Sequence, residues 1–161
     1  MKYPFLALLT FAALCDTCHA DDDLDALIGT WVSPDGMARQ QLLRDFDGSW
    51  IQTRMWFREG EDWKLVAVGG MWRRPGETRW QAASRATGME DIEVFEFSFE
   101  SSGPATYTLV SVAYESDGGR MHTEEDWTVV SPDRVDYEIF RIEDGQRSPW
   151  MQGTWIREPR G

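Results

Sequence analysis

The sequence predicts an all-β protein, a single antiparallel up-and-down barrel of about nine or ten strands. Three observations predict it. The stretch from Ser49 to Arg74 is two alternating runs joined by Glu59-Gly60-Glu61-Asp62, the pattern of a hairpin. Turn signals then recur at spacings of about ten residues, which leaves no room for a long helix. Finally, Gly29-Thr30-Trp31-Val32 near the start is echoed by Gly153-Thr154-Trp155-Ile156 near the end. Two amphipathic tryptophan strands at the termini suit edges that pair and close a sheet.

The 161 residues suffice for one domain with a real core. Residues 1–20 are expected to be a cleaved secretory signal, with Lys2 as its positive end, Phe5 to Leu14 as its apolar run and Cys18-His19-Ala20 as its cleavage site. The barrel domain is then 21–161. Cys15 and Cys18 leave with the signal, so no disulfide is expected in the mature chain. A lipid anchor on Cys15 is disfavoured by bulky Leu14 just before it. The net charge of −12 argues against nucleic acid and anionic membrane surfaces. The chain has no Asn, hence no N-glycosylation acceptor, and a bacterial periplasm fits this composition. No later apolar run is long enough for a transmembrane helix.

Taken in order, Asp21 to Ile28 opens with carboxylates and then spaces Leu24, Leu27 and Ile28 for a single helical turn. Gly29 to Val32 begins the first strand, stopped by Pro34-Asp35-Gly36. Met37 to Phe46 reads as the second, and Asp47-Gly48 as the turn into the central hairpin. In that hairpin Ile51, Thr53, Met55 and Phe57 face one way, and Trp50, Gln52, Arg54, Trp56 and Arg58 the other. Thr78 to Arg85 is the fifth strand. Asp91 to Glu100 switches parity between Ile92/Val94 and Phe95/Phe97/Phe99, which predicts a bulge. Ala105 to Glu115, Arg120 to Val130, Arg134 to Ile142 and Trp150 to Arg157 complete the set.

Leu27-x-Gly29-x-Trp31 at the head of such a chain resembles the opening motif of lipocalins and related calycin barrels. The Asp47-Gly48-Ser49-Trp50 hairpin, and Asp144-Gly145 followed by Trp155 and Arg157, resemble bacterial lipocalin-like domains of unknown function. The resemblance implies that Trp31 plugs the closed end of the barrel against Arg157, with Arg141 as the other choice. The chain differs from lipocalins in lacking their disulfide and C-terminal helix.

Candidate chemistry centres on two places. His122, Glu124 and Asp126 share one face of a strand, a pattern suited to a divalent metal or acid–base work. Trp127 and Val129 read as the core-facing set, however, which puts His122 in solvent; no metal or other cofactor is expected. Glu125 shares the parity of Trp127 and would sit in apolar surroundings unless an arginine meets it. The ligand-binding candidates are Arg54, Trp56, Trp72, Glu125, Trp127 and Tyr137, with Arg54 fixing a polar head and the aromatics lining the apolar part. The alternatives are a satisfied Arg–Glu pair in a filled core, or Arg54 and Arg58 on the outer wall. The function expected is interior binding of a small apolar or amphipathic molecule. An isomerase or cyclase using Glu125, or a filled barrel serving as an envelope interaction module, are the alternatives. No nucleophile or phosphate-loop motif is present.

Overall fold

A computed structural model describes residues 24–45, 49–74, 76–86, 92–103, 105–115 and 117–159, with only the backbone of 92–93. The leader expected at 1–20 lies outside these residues, as do the turns expected at Asp47-Gly48 and Thr87-Gly88. Ten strands form one closed antiparallel barrel in up-and-down order. They are β1 (Gly29–Val32), β2 (Ala38–Asp45), β3 (Trp50–Glu59), β4 (Asp62–Trp72) and β5 (Trp80–Ala86). The second half is β6 (Ile92–Gly103), β7 (Thr106–Glu115), β8 (Arg120–Ser131), β9 (Arg134–Glu143) and β10 (Gln146–Arg157). β10 starts four residues before the expected Trp150, because Pro149 sits at a register shift within the strand instead of ending it.

The faces divide by chemistry. Ile51, Leu42, Met71, Trp80, Phe99 and Leu109 are buried in one apolar cluster, while Arg54, Arg85, Glu96 and Glu138 are exposed on the other parity of their strands. A barrel that is apolar inside and charged outside is the reverse of one that spans lipid. Among the described residues no helix is long and apolar enough to cross a membrane. The parity switch in β6 is a register shift between Ile92 and Val94, after which Phe95, Phe97 and Phe99 all face inward. A second shift lies opposite Met55 and Trp56: Met55 pairs with Ala67 and Trp56 with Leu65, so Val66 has no partner across the ladder. Val66 and Ala67 are both buried as a result.

One end is closed by residues from both ends of the chain. Leu24 to Leu27 form a single turn in which the Leu27 amide donates to the Leu24 carbonyl at 2.9 Å, with both side chains buried. Trp31, 1% exposed, donates its Nε1–H to the Leu27 carbonyl at 2.8 Å. The Arg157 guanidinium lies 4.1 Å from the centre of the Trp31 ring. It also donates to the carbonyls of Ala26, Ile28 and Pro132, each at 2.7 Å. Gly29 is required between them. Its φ is +141°, and a Cβ there would meet Arg157 Nη1 at 2.4 Å. The spacing Leu27-x-Gly29-x-Trp31 therefore supplies an acceptor, a gap for the guanidinium and a ring beneath it.

The clasp leads to a first prediction. Arg157→Ala leaves the Ala26 and Ile28 carbonyls without their charged donor and should cost roughly 2–4 kcal/mol in denaturant unfolding. Trp31→Ala should cost about 3–5 kcal/mol. Losses below about 1 kcal/mol in both variants would mean the clasp contributes little to closing the barrel.

Candidate functional site

Above this floor the barrel is not filled. A cavity of about 350 Å³ runs from the aromatic residues at its base to the opposite end, a size within the range of small-molecule sites. Its base is built from rings in mutual contact. Phe99 stacks on Tyr107 at 5.2 Å and meets the Trp127 ring edge-on at 6.4 Å. Tyr137 lies between Trp127 (6.3 Å) and Trp155 (5.9 Å). Gly153 permits this layer, because a Cβ at that position would come within 2.4 Å of the Tyr137 hydroxyl oxygen. The walls are Met55, Met71, Phe97, Leu109, Met121 and Ile139. Phe57, Trp150 and Met151 line the cavity yet are 40%, 42% and 48% exposed, which marks the mouth. There β10 outruns β1: it pairs with β9 along its length but with β1 only at Ile156 and Arg157.

Two pairs of polar side chains on the wall satisfy one another. Ser111 and Thr123 share a 2.5 Å hydrogen bond between adjacent strands, and Thr53 lies 3.4 Å from Ser84. Glu125 differs. Its Oε2 accepts the Trp127 Nε1–H at 2.9 Å, and Oε1 has no partner among the described residues. Burial pushes its carboxyl up from the usual glutamate value, and the Trp127 hydrogen bond only partly opposes this. Its accessible surface faces the cavity while protein surrounds it. Tyr137 is pushed up as well, by burial first, then by the charges of Glu125 and Asp35.

The structure brings Glu125, Trp127 and Tyr137 together on the cavity wall. It does not bring the central hairpin's candidates to them. Ile51, Thr53, Met55 and Phe57 take the inward face, so Trp56 and Trp72 lie on the outer one and do not line the cavity. Trp72 stacks on Trp50 at 5.8 Å, and Trp56 lies beneath Arg39 at 5.6 Å. Arg54 borders the cavity but is exposed, and no arginine is among the groups that shift Glu125. The physical reason is charge: a face carrying Arg54 and Arg58 costs far more to bury than one of Ile, Thr, Met and Phe. That contrast is the signal in the sequence for Met55 and Phe57 as lining residues. The same hydrophobicity points to Phe95 and Phe97.

His122 is exposed on the outer face of β8. The carboxylates beside it, Glu124 and Asp126, are held by Arg147 at 3.1 and 2.6 Å. Among the described residues no group of three His, Cys, Asp or Glu is placed to hold a metal ion.

Because Glu125 is harder to ionise when folded than its ordinary value of 4.5, its contribution to stability is fully present below that pH. It is lost as pH rises through the folded pKa. Glu125→Gln keeps an acceptor for Trp127 and cannot ionise. Its melting temperature relative to wild type should therefore climb with pH above 4.5 and then level off. A difference that stays constant across the pH range, read by thermal melts of both proteins, would mean Glu125 ionises freely. Set against known proteins, the chain matches no family model and no curated protein.

Proposed function

We propose that this protein is a secreted, lipocalin-like barrel that binds one small apolar or amphipathic molecule in its interior. The observation that carries the reading is the cavity of about 350 Å³, closed at one end by aromatic rings and open at the other. Binding there is driven by removal of ligand surface from water against Met, Leu and Phe side chains, at about 25 cal/mol per Å². The floor is already assembled, so little ordering accompanies binding. Support for the lipocalin-like kinship comes from Leu27, Gly29 and Trp31 meeting Arg157 at the closed end. Support for secretion, with a bacterial periplasm as the compartment, comes from the leader-like residues 1–20 and the net charge of −12. An open interior also favours a carrier over a filled barrel that works only through its outer face.

A second reading has one specific observation behind it. A carboxyl made harder to ionise by burial beside an apolar cavity suits acid–base catalysis, and Glu125 would be the group that moves the proton. In that case Glu125→Gln retains binding of the natural ligand and loses its turnover.

Native mass spectrometry of the protein from its own compartment should reveal an added mass that departs on denaturation. Met121→Trp places a large ring in the cavity wall and should remove that mass while the protein still melts in one cooperative transition. A bare mass in the wild type, unchanged after incubation with mixed lipids, would overturn the carrier reading.

A further inference from the structure

The polar end of the ligand can be read from the one carboxylate among the described residues that line the cavity. The sequence suggests an arginine, Arg54, to receive an anionic head, but Arg54 is exposed and the ionisable carboxylate on the wall is Glu125. Its Oε1 has no partner among the described residues, whereas Ser111 and Thr123 satisfy one another. The groups around it carry no positive charge. Leu109 of β7 and Ile139 of β9 stand beside it in register, and Thr123 and Trp127 flank it on the inward face of β8. Tyr137 of β9 is the other titratable group on this wall, and Asp35, which acts on Tyr137, adds only negative charge.

We propose that the cavity selects a lipophilic amine, seated with its ammonium group on Glu125 and its apolar body among the Met, Leu and Phe walls. This deepens the carrier reading and rests on it. An ammonium supplies the donor that Oε1 lacks and the countercharge that an apolar cavity otherwise denies a carboxylate. A fatty carboxylate placed the same way meets a like charge wherever Glu125 is ionised, and an alcohol makes at best one uncharged bond. When Glu125 holds its proton, seating an ammonium on it expels that proton to solvent. Amine affinity then rises with pH until Glu125 is ionised in the free protein. One cation near the mouth offers a competing arrangement: Arg141, exposed and 4.6 Å from the Trp150 ring, could hold an anionic head outside the cavity.

The test is titration calorimetry of the mature barrel with decylamine, 1-decanol and decanoate. Decylamine should bind at least about tenfold more tightly than the other two, and Glu125→Gln should bring it down to the level of 1-decanol. In wild type alone, which needs no variant to fold, decylamine affinity should rise with pH from about 4.5 upward while 1-decanol stays flat. Equal affinities, or a flat amine profile, overturn the proposal and leave the carrier reading standing. So does a preference for decanoate that disappears in Arg141→Gln, which would put the head at the rim. Failure of all three probes to bind defeats the carrier reading itself, and this inference with it.

Discussion

The barrel depends on one contact, the Arg157 guanidinium over the Trp31 ring. A ten-strand sheet has two edges that must find each other, and here they share only two register pairs, Trp31 with Arg157 and Val32 with Ile156. So short a ladder is a weak seam by itself. The guanidinium reinforces it by donating to carbonyls on both sides, Ala26 and Ile28 near the first strand and Pro132 before β9. Among the described residues no backbone donor outside the strand ladders reaches those carbonyls, and a charged donor is stronger than a neutral one. The ring below, nearly free of solvent, covers the base of the core.

That concentrated floor has a counterpart in the emptiness above it. Eight-stranded barrels have interiors that side chains fill, and ten strands enclose more space for the same side-chain sizes. The large rings of this chain gather at the base, and the walls above are built from Met, Leu, Ile and Phe around small Ala, Ser and Thr. Ala113, Ser84 and Ser111, small and facing inward, leave the middle of the barrel open. The outer face, by contrast, uses Trp50, Trp56 and Trp72 to cover strand backbone, with Gly70 leaving room for the Trp50 ring. Tryptophan thus serves floor, mouth and exterior, while most of the wall between relies on more pliable residues.

How much of this is legible in the sequence follows from where its signals are unambiguous. Strand rhythm is, because Gly-, Pro- and Asp-containing turns interrupt runs of fixed period. The inward face of β8 is too, since Trp127 and Val129 stand against His122, Glu124 and Asp126. The bulge in β6 is visible because Ile92/Val94 and Phe95/Phe97/Phe99 cannot share one face in a regular strand. The bulge at Val66 is not, since Leu65-Val66-Ala67-Val68 is apolar at every position and carries no phase. The inward face of β3 is misread when tryptophan is weighed as core and the arginines beside it are not. From that one-residue parity error follows the expected role of Arg54, and Trp56 and Trp72 move with it.

The clasp also governs when the molecule can form. Its bonds join residues 129 and 131 positions apart, from Ile28 and Ala26 to Arg157. A chain made from its N-terminus holds Trp31 well before the group that covers it, which belongs to β10. Every other strand pairs with its neighbour in sequence, so hairpins can accumulate while the ring remains open. Closure then pays its loop entropy in a single step that spans every strand of the barrel. Any process that requires the polypeptide unfolded has the making of the strands from β2 to β10 in which to act.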